Sequence, residues 1–119
     1  MFKKIIFFFL LITLFSCSKN NIENVVLEST DEEIAISTYE EAVEALKIGD
    51  AFFATKKFKE VESLMPQSEW AAKASLMASY SEYSRNAYES SIFGLERHIK
   101  NYPADENVPY AHYLIAICY

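Results

Sequence analysis

The chain has 119 residues and a formal net charge of −6, and 51% of its residues are hydrophobic. This length suits one domain, and the acidic balance excludes nucleic acid as a partner because no basic stripe is present to neutralise phosphates. The two glycines lie far apart, which excludes a phosphate-binding loop and most turn-rich β architectures. The two histidines and two cysteines fit no metal-site spacing, so we expect no metal and no cofactor.

The first sixteen residues have the organisation of an export signal. Lys3 and Lys4 precede an apolar run over residues 5–15, and residues 18–21 are polar at once. The run is about 11 residues long, whereas a membrane-spanning helix needs roughly 20. A basic start followed by a short apolar stretch is typical of a signal peptide. We therefore predict a signal peptide over residues 1–16.

Cys17 follows this leader at the end of the run Leu-Phe-Ser-Cys, which resembles the cleavage site of bacterial lipoproteins. Leu14 and Ser16 fit that pattern, whereas a residue smaller than Phe15 is usual. The resemblance implies that Cys17 becomes the first mature residue and carries acyl chains such as palmitate, which would anchor the chain in a membrane. The alternatives are an uncleaved N-terminal anchor and an ordinary signal peptide with an incidental cysteine.

Residues 17–36 are predicted to form a lipidated polar tether. Asn, Ser, Glu and Asp dominate this stretch, and residues 31–33 are an acidic run of the kind that usually stays solvated. Its apolar cluster Val25-Val26-Leu27 either docks locally or stays mobile. Helical periodicity is expected to begin at Ser37.

From Ser37 onward the pattern predicts five helices. Caps, prolines and turn residues mark their ends. These signals are Ser37, Glu40 and Gly49 for the first helix, Asp50 and Pro66 for the second, Ser68 and Arg85-Asn86 for the third, Pro103 for the end of the fourth, and Asp105 and Pro109 for the start of the fifth.

The second and fourth helices carry one pattern at an offset of 37 residues. The predicted repeat core is Ala54, Phe58, Val61 and Pro66, followed by Ser91, Leu95 and Pro103. The spacing small-x3-large-x2-small-x4-Pro matches the second helix of tetratricopeptide repeats, whose period is about 34 residues. We predict an all-α, tetratricopeptide-like solenoid of helical hairpins over residues 37–119, with two repeats and the start of a third. His98 replaces a small residue of the pattern and is expected to be partly buried and hydrogen-bonded.

The sequence ends within an apolar helix that contains Leu114 and Ile117. Terminal repeats normally present a polar outer face. We therefore expect the repeat array to be truncated, although this helix could instead dock back on the second unit. Cys118 lies in the same apolar run and is expected to be a buried free thiol.

Together, the lipoprotein cysteine, the tether and the repeat series resemble the BamD family over residues 17–119. The stretches Ile-Lys-Asn-Tyr-Pro at residues 99–103 and Tyr-Ala-His-Tyr-Leu at residues 110–114 belong to this likeness. The resemblance implies a lipid-anchored protein at the periplasmic face of the outer membrane, corresponding to roughly the first half of a family member. It implies other subunits of the β-barrel assembly machinery and unfolded outer-membrane proteins as partners. Docking on the central subunit is credited to later repeats, which this sequence lacks.

The sequence contains no convincing catalytic set, so the favoured function is a non-catalytic scaffold in outer-membrane protein assembly. One alternative is another tetratricopeptide lipoprotein that carries peptides or organises cell-envelope proteins. Another is an enzyme whose catalytic domain follows Tyr119. Tyr80 and Tyr83 are candidate partner-binding residues, because tyrosine offers a flat apolar face and a polar tip. They could instead pack between helices.

Overall fold

The computed structural model describes residues 30–119, which form five α-helices and no strand. The helices are α1 (Asp31–Lys47), α2 (Ala51–Leu64), α3 (Glu69–Ser84), α4 (Tyr88–Asn101) and α5 (Val108–Cys118). Each helix packs on the next along the chain, and α3 also contacts α1 and α5. This arrangement is a series of helical hairpins, and the predicted all-α fold class is confirmed. The predicted signal peptide, Cys17 and the cluster at residues 25–27 lie outside the described residues.

The first helix begins at Asp31, so the prediction that it begins at Ser37 is wrong. The hydroxyl of Thr30 accepts a hydrogen bond from the Glu33 backbone N–H at 3.3 Å, and the Glu33 carboxylate accepts one from the Thr30 N–H at 3.1 Å. This capping box replaces the one expected between Ser37 and Glu40. The acidic residues 31–33 form the first helical turn, where negative charge stabilises the helix dipole. Residues 31–36 of the predicted tether are therefore helical.

The helices α1 and α3 end in the same way. Gly49 has a φ of +88° and donates its N–H to Leu46 O at 3.1 Å, while the next N–H donates to Ala45 O at 2.9 Å. In the second unit Asn86 has a φ of +62° and donates its N–H to Tyr83 O at 2.9 Å. The Ala87 N–H donates to Glu82 O, also at 2.9 Å. Both pairs of bonds form a Schellman motif, which needs a left-handed residue. The two motifs lie 37 residues apart.

The helices α2 and α4 repeat one geometry at the same offset. Their capping residues Met65 and Tyr102 have φ/ψ values of −130°/63° and −127°/57°. Pro66 and Pro103 follow these caps and are exposed, so the prediction that they belong to the repeat core is wrong. Equivalent residues of the two helices are fully buried, with an exposure of 0%. They are Ala54, Phe58 and Val61 in α2, and Ser91, Leu95 and His98 in α4. The sequence periodicity thus corresponds to a real structural repeat.

The helix α3 is buried on two faces by small residues. Ala74 and Ala78 pack with Phe58 and Val61 of the preceding hairpin. On the other face, Ser79 accepts a hydrogen bond at its backbone oxygen from the Ser91 hydroxyl at 2.9 Å. Small side chains allow helices to approach closely, so α3 fits between two neighbours.

The fifth helix begins at Val108, and the prediction that Asp105 starts it is wrong. The Asp105 carboxylate instead accepts a hydrogen bond from the Asn107 N–H at 2.8 Å in the turn before the helix. Pro109 lies in the first helical turn, as expected. Ala111 and Leu114 pack with Leu76 and Leu95. The helix α5 therefore packs on α4 as α3 packs on α2.

Cys118 is only half-buried, which contradicts the expectation of a buried thiol. It is a free cysteine, and its Sγ lies 3.8 Å from the Ser91 hydroxyl oxygen. It lies near the end of α5, where Ile117 is 41% exposed. The thiol therefore contacts α4 through Ser91.

Candidate functional site

Five tyrosines from three helices form one aromatic surface, here called the tyrosine patch. Its members are Tyr80 and Tyr83 of α3, Tyr88 of α4, and Tyr110 and Tyr113 of α5. Ring centroids lie 6.2 Å apart for Tyr80 and Tyr83, 5.8 Å for Tyr83 and Tyr88, and 6.2 Å for Tyr110 and Tyr113. These separations fall in the range of favourable aromatic contacts.

Tyr80 and Tyr83 contribute to both packing and surface. They are half-buried and pack on the core cluster of Leu76, Leu95 and Leu114. The other three rings of the patch are exposed, and Tyr113 is the most open at 59%. The inner rings are therefore fixed by the core, while the outer rings are accessible to a partner.

The phenols of the patch lie close enough to influence one another. Burial raises the pKa of Tyr110, and the neighbouring phenols of Tyr80, Tyr113 and Tyr83 raise it further, in that order. An ordinary tyrosine is already neutral at physiological pH, and the raised pKa of Tyr110 acts in the same direction. The Tyr110 hydroxyl can then both donate and accept a hydrogen bond, as an extended peptide backbone requires.

Two rings of the patch on α5 were not predicted from the sequence. Tyr110 and Tyr113 have the same i, i+3 spacing as Tyr80 and Tyr83, which places each pair on one helical face. Because α5 packs beside α3 against α4, the two pairs come together. The repeated spacing is a signal that could have identified them.

A polar contact ties the two hairpins together. Arg97 of α4 donates from Nη2 to the Glu62 carboxylate of α2 at 2.7 Å, and the Tyr102 hydroxyl donates to the other Glu62 oxygen at 3.2 Å. Burial raises the pKa of Tyr102, and the Glu62 carboxylate raises it further. The Glu62 carboxylate of α2 therefore bonds both a residue within α4 and the residue that caps its C-terminus.

His98 is fully buried, and the expectation of a hydrogen-bonded, partly buried residue is wrong. Neither ring nitrogen has a hydrogen-bond partner among the described residues. The Asp105 carboxylate lies 3.7 Å from Nε2, and the Tyr102 ring centroid lies 5.6 Å from that of His98. Burial lowers the pKa of His98, while Asp105 and Glu62 partly oppose this effect. The lowered pKa favours the neutral form of this buried imidazole.

Residues 30–119 contain no group of three or more His, Cys, Asp or Glu side chains that could hold a metal ion. Within the same range, no helix has both the length and the apolar character needed to cross a membrane. The described surface carries the tyrosine patch on stacked hairpins. The fold thus defines the class of the protein, which is a tetratricopeptide-like helical-repeat protein.

A family model described as YfiO, outer membrane lipoprotein, matches residues 31–119. The chain belongs to this YfiO/BamD family, which confirms the resemblance seen in the sequence. It is 38% identical over 95 residues to the "Outer membrane protein assembly factor BamD" of Caulobacter vibrioides, covering 80% of this chain and 30% of that protein. It is 26% identical over 76 residues to the protein of the same name from Xylella fastidiosa, covering 64% of this chain and 26% of that protein. The chain thus spans less than a third of the length of these relatives, so the expectation that it corresponds to roughly the first half of a family member is wrong.

Proposed function

We propose that the chain is a non-catalytic, periplasm-facing scaffold of the outer-membrane β-barrel assembly machinery. The observation that carries this proposal is the family match over residues 31–119. Two relatives that share this part of the sequence are named as outer membrane protein assembly factors. Stacked helical hairpins support a scaffold role because they present extended surfaces to other proteins. The partners would be other subunits of the machinery and unfolded outer-membrane proteins.

Attachment to the outer membrane would come from lipid at Cys17. An acidic chain is not held on anionic lipid by charge, and several acyl chains suffice for stable anchoring. Residues 18–29 would separate this anchor from the cap of α1 at Thr30. The helical repeats would then face the periplasm at a short distance from the membrane.

The tyrosine patch is the proposed surface for unfolded outer-membrane proteins. Its outer rings expose flat apolar faces, and the hydroxyls can bond an extended backbone. The inner rings of Tyr80 and Tyr83 are held in place by the core, so little side-chain freedom would be lost on binding. These features suit a ligand that is extended, apolar in part and variable in sequence.

Depletion of the protein in the bacterium that encodes it tests the assembly role. We expect the amount of folded β-barrel protein in the outer membrane to fall, and re-expression of the complete gene to restore it. Folded and unfolded barrels are separated by their heat-dependent mobility in gels. Unchanged barrel levels, with altered amounts of other envelope proteins, would contradict the proposal and favour a different envelope lipoprotein.

Substitutions in the patch test the surface separately. In the complete protein, Tyr110→Ser and Tyr113→Ser together should weaken crosslinking to a denatured β-barrel protein during its assembly. Phe52→Ser is the matched control, since Phe52 is an aromatic residue of α2 that is 71% exposed and lies outside the patch. Equal crosslinking in all three proteins would exclude the patch without excluding the assembly role.

A further inference from the structure

The first hairpin, formed by α1 and α2, has an outer face that points away from α3. On α1 this face carries Ser37 and Glu41, which are exposed. The 37-residue offset matches them to Ala74 and Ala78 of α3, which are buried against the first hairpin. Among the described residues no hairpin precedes the first, so polar side chains occupy positions that are alanine in the second. The outer face thus has the polar character expected at the end of a repeat array.

Two apolar side chains interrupt the polar outer face at one end. Glu41 of α1 pairs with Lys57 of α2 at 3.0 Å, which fixes how the two antiparallel helices are aligned. Ile34 lies two helical turns before Glu41, and Leu64 lies two turns after Lys57. The alignment therefore brings Ile34 and Leu64 to the same end of the face, where both are only half-buried. The residue that matches Ile34 in the second hairpin, Ala71, is fully buried.

This end of the outer face adjoins the start of α1, where Thr30 and Glu33 form the capping box. Near such a box, an apolar residue just before the capping residue often packs on the fourth residue of the helix, an arrangement called a hydrophobic staple. The fourth residue of α1 is Ile34, which is apolar, but the residue before Thr30 is Ser29. The nearest apolar residue upstream is Leu27. Leu27 is therefore the closest candidate to complete the staple.

The spacing along the chain allows Leu27 to reach Ile34. Leu27 precedes Thr30 by three residues, and an extended chain covers at most about 3.6 Å per residue, so Leu27 reaches about 10 Å from the cap. Ile34 follows the cap by four residues, or about 6 Å along the helix axis. In an extended segment alternate side chains share one side, so Val25 would face the same way as Leu27, and Val26 the opposite way.

We propose that residues 25–27 dock in extended form on the apolar end of the outer face. Leu27 packs on Ile34, Val25 packs on Leu64, and Val26 faces solvent. This occupant is a segment of the same chain, since it is apolar and enters α1 beside the face that it covers.

Docking of residues 25–27 would shorten the free part of the tether. Residues 18–29 span at most about 43 Å when extended, whereas residues 18–24 span at most about 25 Å. The first hairpin would therefore be held closer to the lipid anchor proposed at Cys17. This consequence rests on that anchor, while the docking itself is independent of the proposed assembly function.

Disulfide trapping in the full chain, in mild detergent and with Cys118→Ser, tests the position of the segment. Val25→Cys combined with Leu64→Cys should form an intrachain disulfide under copper–phenanthroline, since the bond needs Cα atoms within about 7 Å of each other. Val26→Cys combined with Leu64→Cys is the matched control and should form it several times more slowly. Mass spectrometry of the joined peptides distinguishes these bonds from any at Cys17. Equal rates for the two pairs would overturn the proposal, because an undocked segment presents neighbouring residues equally.

Thermal melts of the full chain in detergent test whether the contact stabilises the first hairpin. Leu27→Ser should lower the melting temperature by about 4–8 °C, the usual effect of losing one modest contact in a domain of this size. Val26→Ser is the matched control and should leave it unchanged. In an Ile34→Ala background the two serine variants should melt alike, because the partner of Leu27 is then removed. Equal effects of Leu27→Ser and Val26→Ser in the parent chain would overturn the proposal.

A second copy of the chain and a lipid surface are the competing partners of residues 25–27. Trapping in a mixture of two chains that differ in mass shows whether the disulfide between residues 25 and 64 joins one chain or two. Repeating the experiment in phosphatidylcholine vesicles shows whether lipid draws the segment away. A disulfide between chains, or its loss in vesicles, would overturn the proposal. An intrachain disulfide in both detergent and vesicles is the expected result.

Discussion

Gly94 of α4 lies directly against Ser79 of α3, so closely that a Cβ atom on Gly94 would overlap the Ser79 hydroxyl oxygen. Gly94 is helical, so its role is to allow this close approach rather than to adopt a left-handed conformation. The Ser79 hydroxyl cannot turn away without loss, because it donates to Ser75 O at 3.0 Å. The spacing between α3 and α4 therefore depends on the missing side chain.

Gly94→Ala should destabilise the protein by about 1–3 kcal/mol, because the added methyl group overpacks the helix contact. Urea denaturation followed by circular dichroism measures the change. Ser79→Ala removes the overlapping oxygen and should recover part of the loss in the double variant. If Gly94→Ala is as stable as the parent, α3 and α4 are not as close as described.

Phe58→Ala and Leu95→Ala should each cost about 2–5 kcal/mol, since both side chains are fully buried at equivalent positions of the repeat. Thermal melts of the full chain in detergent give the comparison. Phe93→Ala is the control, because its ring is exposed and its loss should leave the melting temperature nearly unchanged. Equal melting of all three variants would show that the repeat register is wrong.

His98 should make stability depend on pH. Its pKa is lowered in the folded state by burial, so the unfolded chain, with a pKa of about 6.5, takes up the proton more readily. The free energy of unfolding should therefore be highest above that value and fall as the pH decreases through it. Asp105 and Glu62 limit the size of the effect, and Arg97 adds to it.

Urea midpoints measured between about pH 5.5 and 7.5 test this dependence, and His98→Leu should flatten it. His112→Gln is the control. Because His112 is exposed, this substitution should not change how the free energy of unfolding varies with pH. A slope that survives in His98→Leu would assign the effect to another group. The difference in slope is informative even if the substitution itself changes stability.

Cys17 should be the first residue of the mature protein and should carry acyl chains. Expression of the whole sequence in a bacterium, followed by mass spectrometry of the N-terminal peptide, measures both the cleavage site and the added mass. Cys17→Ser should abolish the modification and leave the leader uncleaved at that position. An unmodified thiol at Cys17 in the parent would contradict the prediction.

The helical repeat could be predicted because its residues occur twice at one offset. Phe58 and Leu95 share a spacing to the following proline, and that spacing reflects the same buried position in two hairpins. The true start of α1 was missed because the capping residue Thr30 precedes an acidic run, which includes its partner Glu33 and resembles a solvated segment. Burial of Ala35 against neighbouring helices, which is a tertiary effect, extends the helix to this point.

The candidate sites were only partly visible in the sequence. Tyr80 and Tyr83 could be named from the chemistry of tyrosine, but their contact with Tyr88 depends on how α4 folds back on α3. The close approach of α3 and α4 could not be predicted, since it depends on Gly94 meeting Ser79 of the other helix. His98 was misjudged because a periodic pattern gives burial but not the positions of hydrogen-bond partners.

The double burial of α3 has a consequence for the cooperativity of unfolding. Ala74 and Ala78 belong to the core shared with α2, whereas Leu76 belongs to the core shared with α4 and α5. Loss of the packing between α2 and α3, or between α3 and α4, therefore exposes one face of α3. Each of these contacts thus stabilises the helix on which the other depends. In a repeat protein this corresponds to a large interface energy between neighbours, so the two hairpins should melt in a single transition. Hydrogen exchange should accordingly be slowest in α3, whose amides open only when both hairpins do.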